Sequence, residues 1–286
     1  MNNVKTGILL IALSGLLVYL GQLAGGTQGA TIALAMAAVM NVGAYWFSDR
    51  LVLRMYRAQE VTEAQAPELY AIVADLTQRA HLPMPKVYII PSDAPNAFAT
   101  GRNPSHAAVA VTQGILKILS RDELRGVLAH ELSHVGHRDT LISCVAATLV
   151  GAITWLAHMA QFAAIFGGRS NDDEGGNPIG MLAVAIFGGL AATLLQLAVS
   201  RSREFEADAA AARLIGDGEP LARALEQLER GVHAIPIDAS PATAHLFIVS
   251  PLTGGGGAAG LFAKLFRTHP LTEERIARLR SRAWAT

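Results

Sequence analysis

The sequence is poor in charged residues and almost devoid of cysteine, and both shortages narrow its class. Charged residues make up 16% of the 286 residues and hydrophobic residues 51%, which is unlike an ordinary soluble domain. Basic and acidic side chains number 23 each, so the net charge is zero and no strongly basic surface is indicated for nucleic acid. The single cysteine, Cys144, excludes an intramolecular disulfide and a C-x-x-C zinc site. The length allows one large domain or two.

Long uncharged apolar runs account for the low charge. They form two pairs, 7–26 with 29–48 and 141–168 with 179–200. Each run is long enough to cross a bilayer core, which takes about 20 residues. We therefore predict an integral membrane protein with four transmembrane helices, arranged as two hairpins within residues 1–48 and 141–200. A cleaved signal peptide after Lys5 is the alternative for the first run, and a buried hairpin of a soluble core is the alternative for the second pair.

Basic residues are distributed unevenly around these runs. The loops after the first and third runs hold only Arg169, whereas the other side holds Lys5, Arg50, Arg54, Arg57, Arg201 and Arg203. By the positive-inside rule, segments 49–140 and 201–286 and both termini are cytoplasmic, in a multi-pass protein of the inner or plasma membrane. Tyr45 and Trp46 would lie at the interface as an aromatic belt.

The motif H-E-x-x-H occurs at His130–His134. Residues four apart share one face of a helix, so His130 and His134 can direct their imidazoles at one metal ion. Glu131 lies beside them and can act as a general base. Chance matches to this pattern are common, so two ordinary helix histidines are the alternative.

The segment before and around this motif is predicted to combine helices with a small sheet. An amphipathic helix is expected at 65–80, and Ser120 with Glu123 has the spacing of a capping box at the start of the motif helix. Strands rich in β-branched and aromatic residues are expected at Lys86–Ile90, Asn96–Gly101 and Ala107–Thr112. The predicted fold is mainly α with a small antiparallel β-sheet (α+β).

A catalytic zinc site needs three protein ligands and one open position. His137 shares the face of His130 but lies about 10 Å along the helix axis, which is too far for one ion. After the fourth apolar run, Glu204 and Asp208 share one helix face, whereas Glu206 points the opposite way. One carboxylate could bind the metal while the other accepts the N–H of a ligating histidine. A solvated charged helix face is the alternative.

Four segments follow one another over most of the chain: NAFATG at 96–101, HELSH at 130–134, SRSREFEAD at 200–208 and THPLTEERIARL at 268–279. Together they resemble the HtpX family of membrane zinc metalloproteases, relatives of the CAAX prenyl proteases. The resemblance implies a cytoplasmic zincin-type protease domain with one Zn²⁺ per chain. It implies that Glu204 is the third zinc ligand and that Asp208 orients a zinc-binding histidine. It also implies cleavage of misfolded and membrane proteins in quality control and stress response, with protein substrates and the lipid bilayer as partners.

The remaining predicted site residues would donate to the oxyanion or bind the substrate. Peptide cleavage needs a donor to the developing oxyanion, and the resemblance places His269 and Arg275 near the site. A helix-cap neighbour without chemistry is the alternative for His269, and a surface salt bridge is the alternative for Arg275. Substrate is expected as an extended strand beside Ala107–Thr112, with Asn96–Thr100 lining the same cleft. The predicted substrate-binding residues are Asn96, Ala97, Phe98, Ala107, Ala108, Val109, Ala110 and Val111.

Two other function classes fit the sequence less well. An intramembrane protease needs its motif inside an apolar run, but charged residues surround this one: Arg121, Asp122, Glu123, Arg125, Arg138 and Asp139. A zinc-stabilised, non-enzymatic membrane scaffold or transporter component would have no use for a base at Glu131, and a closed structural site would have four protein ligands. No pattern assigns a role to His137 or His158, or indicates an oligomeric state.

Overall fold

Helices surround one small sheet in the part of the chain that the structure describes. The computed structural model describes residues 2–146, 201–234, 248 and 270–285. Its helices are α1 (Asn2–Met55), α2 (Pro67–Arg79), α3 (Gln113–Ile118), α4 (Arg121–Gly136), α5 (Arg201–Ile215), α6 (Glu219–Ala234) and α7 (Thr272–Arg280). Its strands are β1 (Gln59–Glu60), β2 (Lys86–Ile90), β3 (Ala97–Thr100) and β4 (Ala108–Thr112). Residues 139–146 are also helical.

The first helical run, α1, folds back on itself. Asn41 Nδ2 donates a hydrogen bond to Ser14 Oγ at 2.9 Å, although the two residues are 27 positions apart. In a straight helix they would be separated by about 40 Å. Gly26, with a φ of 60°, lies between them in a conformation that glycine adopts without steric cost. The described residues thus reverse direction between the two apolar runs, and Gly26 lies at the reversal.

Only one bent pair of helical segments in the described residues could cross a membrane. Among the described residues, no single helix is both long and apolar enough to span a bilayer. Two segments of α1, Gly26–Gly43 and Tyr45–Met55, meet at a bend of 66° and satisfy the requirement together. Most of the predicted third run, the whole fourth run and His158 lie outside the described residues.

The sheet is mixed, so the prediction of an antiparallel sheet was wrong. Its strand order is β1-β2-β4-β3. β2 and β4 are parallel, with Val87 beside Val109, whereas β1 with β2 and β3 with β4 are antiparallel. The reason is that β4 inserts between β2 and β3 instead of following β3 at the edge. All five residues of β4 are buried, and such a continuous apolar strand is typical of a sheet interior.

Both faces of this sheet are covered, and this arrangement positions the motif helix. Val109 and Val111 belong to the main core, which also contains the buried faces of α2 and α4. Ala108 and Ala110 pack on the opposite face against Val52, near the end of α1. The sheet thus separates the end of α1 from α4.

The motif helix α4 begins where predicted and approaches its neighbours closely. The Ser120 hydroxyl accepts a hydrogen bond from the Glu123 N–H, and the Glu123 carboxylate accepts one from the Ser120 N–H at 2.8 Å, which confirms the capping box. A Cβ atom added at Gly126 would lie 2.7 Å from the backbone nitrogen of Leu221, so this approach to α6 requires glycine. On α5 the small side chain of Ala207 is fully buried, which permits a similarly close approach.

Candidate metal centre

Helix α4 directs His130 and His134 at one point. Their side chains are 2% and 16% exposed, and their Nε2 atoms are 3.2 Å apart. The rings are nearly perpendicular, at 87°. Two imidazole nitrogens at this distance repel each other unless a proton or a cation lies between them. The structure therefore brings the two predicted histidines together as the helical spacing requires.

Glu204, in the first turn of α5, brings a carboxylate to the same point. Its Oε2 lies 3.7 Å from His130 Nε2 and its Oε1 lies 3.6 Å from His134 Nε2. Tetrahedral zinc with bonds of about 2.0–2.1 Å holds its ligand atoms about 3.3 Å apart, so these separations fit a three-ligand site. Glu206, two residues further on, is exposed on the other side of the helix.

Each histidine is held from behind by an aspartate. Asp208 Oδ1 lies 2.9 Å from His130 Nδ1, and Asp139 Oδ2 lies 3.1 Å from His134 Nδ1. A carboxylate in this position accepts the Nδ1–H, so the Nε2 of each ring, when the ring is neutral, presents a lone pair toward Glu204. Electron-rich atoms therefore converge from three residues, and such a donor set suits a cation. Asp208 was predicted for this role, whereas Asp139 was not.

Charges around the site shift the pKa values of buried groups. Burial alone would raise the pKa of Asp208, but the charge and hydrogen bonds of Arg275 lower it to about 2. Burial alone would lower the pKa of His134, but its hydrogen bond with Asp139 and the charge of Glu204 raise it to about 9. Positive charge is thus favoured at this point of the structure.

Arg275 on α7 is buried behind the histidines, so the alternative of a surface salt bridge was wrong. Its side chain is 2% exposed and donates to both oxygens of Asp208, at 2.8 and 2.7 Å. It also donates to the carbonyl of Ile248 at 2.8 Å. These bonds lie on the Nδ1 side of His130, although Arg275 Nη1 also lies 3.9 Å from Glu204 Oε2. The geometry therefore favours support of Asp208 over the predicted donation to an oxyanion.

Glu131 faces strand β3. Its carboxylate is largely buried and accepts a hydrogen bond from the Ala99 N–H at 2.9 Å. Burial raises the pKa of Glu131, although the charges of His130 and His134 and the Ala99 hydrogen bond oppose this increase. A carboxylate with a raised pKa is a better proton acceptor than an exposed one, so Glu131 suits acid–base chemistry.

The predicted docking of substrate beside β4 was wrong. β4 pairs with β2 on one side and β3 on the other, so Ala108–Thr112 has no free edge. β3 is an edge strand of the sheet among the described residues. Because Ala99 directs its N–H at Glu131, strand alternation turns the peptide groups of Ala97 and Ala99 away from β4. The edge of β3 that does not pair with β4 therefore runs beside the motif helix, and all four residues of this strand are buried.

The other predicted site residues occupy different places. Asn96 is 2% exposed, and its Oδ1 accepts a weak hydrogen bond from the Ile248 N–H at 3.4 Å. Phe98 is also 2% exposed and packs against Tyr56 on the face toward α1. His137 caps the C-terminal end of α4. His269 lies outside the described residues.

Comparisons with known proteins identify the family and the fold of the chain. The profile of the family described as Peptidase family M48 matches residues 63–283. The Protease HtpX homolog of Syntrophobacter fumaroxidans is 55% identical over 97% of this chain and 98% of its own length. The Protease HtpX homolog of Desulforapulum autotrophicum is 54% identical over 98% of this chain and 89% of its own length. The crystal structure of S. mikatae Ste24p shares the fold, with a TM-score of 0.51 and 19% identity over 96% of this chain, which spans 64% of that protein.

Proposed function

This chain belongs to peptidase family M48 and to the HtpX homologues, and on that premise we propose that it is a membrane-bound zinc endopeptidase with a cytoplasmic active site. The observation that carries the proposal is the convergence of His130, His134 and Glu204 beside the buried carboxylate of Glu131. Two histidines and one glutamate, with a fourth position left open, are a typical donor set for catalytic zinc. A closed structural site would have a fourth protein ligand and no adjacent base.

Each residue of the centre has a proposed role in peptide hydrolysis. His130, His134 and Glu204 hold the zinc ion. When bound, zinc supplies a Lewis acid that polarises the scissile carbonyl and lowers the pKa of a water molecule. Glu131 takes a proton from the attacking water and delivers it to the leaving amine. Arg275 acts indirectly, because it fixes the carboxylate that orients His130.

The substrate is proposed to bind as an extended strand along the edge of β3 that does not pair with β4. The Ala97 N–H and the carbonyls of Ala97 and Ala99 face away from β4 and can pair with a peptide backbone, whereas the Ala99 N–H donates to Glu131. This edge is adjacent to Glu131, so a bound peptide would run past the base. His269 remains the proposed donor to the oxyanion, on the resemblance alone.

The membrane topology belongs to the same proposal. We expect four transmembrane helices with both termini and the metal centre on the cytoplasmic side. Large apolar side chains on α1 support this, because Ile32 is 57% exposed, Val39 73% and Trp46 49%. Contiguous exposed apolar surface on a helix marks contact with protein or lipid. The expected substrates are misfolded and membrane proteins, in quality control and stress response.

The test uses the full chain purified in detergent. The variant Glu131→Gln keeps the side-chain size and an oxygen that can accept the Ala99 hydrogen bond. It should bind zinc as the wild type does but lose casein cleavage by a factor of about 10²–10⁴. Glu206→Gln, an exposed change on α5, is the control and should cleave casein at the wild-type rate. Normal cleavage by Glu131→Gln, or a wild-type chain without bound zinc, would contradict the proposal.

A further inference from the structure

A second aspartate–arginine pair lies behind the candidate metal ligands, and the proposed mechanism does not use it. Asp139 Oδ2 accepts from His134 Nδ1 at 3.1 Å, while Arg203 Nη1 lies 3.4 Å from Asp139 Oδ1. The Asp139 and Arg203 side chains are only 6% and 11% exposed. One buried carboxylate therefore connects a histidine of the metal centre to an arginine on another helix.

The backbone after α4 is shaped to bring Asp139 to His134. α4 ends at Gly136, and Arg138 has a φ of 59°, which non-glycine residues seldom adopt. In a continued helix, Asp139 would lie about 140° around the axis from His134. The left-handed conformation at Arg138 redirects the chain so that the carboxylate faces the ring. A left-handed residue directly after the C-cap is a common helix ending, and here it sets the direction of Asp139.

We propose that Asp139 and Arg203 are a positioning pair for His134. Asp139 accepts the Nδ1–H and so selects the tautomer that leaves Nε2 free for a metal, while Arg203 fixes the orientation of the carboxylate. This inference rests on the proposed zinc function and adds two residues to it. Asp139 precedes the apolar run 141–168, and Arg203 follows the run 179–200. The orientation of His134 therefore depends on how the two ends of the second apolar pair are held together.

If the ion pair between Asp139 and Arg203 has only a structural role, its loss should have different effects. If the pair only clasps two helix ends, its loss lowers stability and leaves the metal environment unchanged. If it positions His134, its loss changes metal affinity and the spectrum of a bound metal, even where the fold is retained. The test must therefore measure the metal directly and not only activity.

The experiment uses the full chain in detergent, with Glu131→Gln in every protein so that self-cleavage does not interfere. Asp139→Asn keeps the shape of the side chain and removes its charge. We expect zinc affinity, measured by competition with a chromophoric chelator, to fall about 10–100-fold. The visible spectrum of the Co²⁺-substituted protein should also shift. Asp139→Glu keeps a carboxylate and should bind zinc more tightly than Asp139→Asn does. It also provides a second variant to measure if Asp139→Asn does not fold.

Arg125→Met is the matched control. Arg125 joins α4 to Asp75 of α2 through a 2.8 Å ion pair, at a position about 140° around the helix axis from His130. This variant should keep its zinc affinity and cobalt spectrum. Because Arg203 acts through Asp139, Arg203→Met should weaken zinc binding less than Asp139→Asn does. The double variant should bind zinc no more weakly than Asp139→Asn alone.

Several outcomes would overturn the inference. An Asp139→Asn protein with the parental affinity and spectrum would remove the positioning role, and so would an equal loss of zinc binding in Arg125→Met. A parent chain that binds no zinc would overturn the proposed function together with the pair. Tight zinc binding that is insensitive to Asp139 would overturn the pair alone.

Discussion

Replacing Arg275 with methionine tests how the metal centre is supported from behind. Methionine fills much of the same space but removes both hydrogen bonds to Asp208 and the bond to the Ile248 carbonyl. The Asp208 side chain, 4% exposed, would then keep its hydrogen bond to His130 but lose its arginine. A buried charge without its counter-charge is costly, so the protein should be less stable and the His130 ring less firmly oriented.

The expected loss of stability in Arg275→Met follows from the pKa of the Asp208 carboxyl. Its pKa falls from 3.8 to about 2 although burial opposes the change, which corresponds to about 2 kcal/mol in favour of the ionised form. Breaking a buried ion pair by removing one partner typically costs about 3–5 kcal/mol. We therefore expect Arg275→Met to lose about 2–5 kcal/mol at pH 7. The folded-state pKa of Asp208 is lowered, so the stability that comes from its ionised form is fully present above pH 3.8. That stability is lost as the pH falls toward 2.

The assay is thermal unfolding of the metal-free protein in detergent at pH 7, together with zinc affinity by chelator competition. Arg278→Met is the control, because Arg278 lies on the same helix but is exposed, pairs with Glu274 and stacks on Phe205. That change should cost no more than about 1 kcal/mol and leave zinc affinity intact. An Arg275→Met protein as stable as wild type, with the same zinc affinity, would refute the reasoning.

Three further outcomes test the ligand set, the packing and the topology. Glu204→Ala should lose most of its zinc, whereas the exposed change Glu206→Ala should keep it. If metal analysis found zinc in Glu204→Ala and none in Glu206→Ala, the opposite face of α5 would hold the ligand. Gly126→Ala should lower stability by about 1–3 kcal/mol, because its Cβ would press on the backbone at the start of α6. Gly136→Ala, whose Cβ has room, should unfold at the wild-type temperature or above, and equal melting of the two variants would contradict the close approach. Thr27→Cys should react with a membrane-impermeant maleimide on intact cells, and labelling only after lysis would reverse the proposed topology.

The parts of the site that sequence predicts well are those that depend on local helix geometry. The spacing of His130 and His134 determines a shared face whatever surrounds the helix, and the capping box at Ser120 involves neighbours within one turn. Helix phase also shows that Glu204 and Glu206 cannot both face the histidines, and the shared face of Glu204 and Asp208 favours Glu204. The residue pattern cannot give the distance from α5 to α4, which long-range packing sets, and the family resemblance supplied that ligand assignment.

Strand order was missed because strand pairing joins distant parts of the chain. Ala108–Thr112 has four apolar residues in succession, a pattern typical of an interior strand, and that signal could have placed β4 between its neighbours. Asp139 was missed for a related reason, since its role depends on one left-handed residue, Arg138. Spacing rules that assume a continued helix direct Asp139 away from His134.

The two aspartate–arginine pairs differ in how closely the arginine contacts the aspartate. Behind His130, Arg275 contacts both oxygens of Asp208 at 2.7–2.8 Å. Behind His134, the arginine–aspartate distance is 3.4 Å, and this second pair joins the chain segments on either side of the second apolar pair. Arg203, Glu204 and Asp208 all lie on α5. This one helix therefore supports both histidines from behind and also supplies the third proposed ligand.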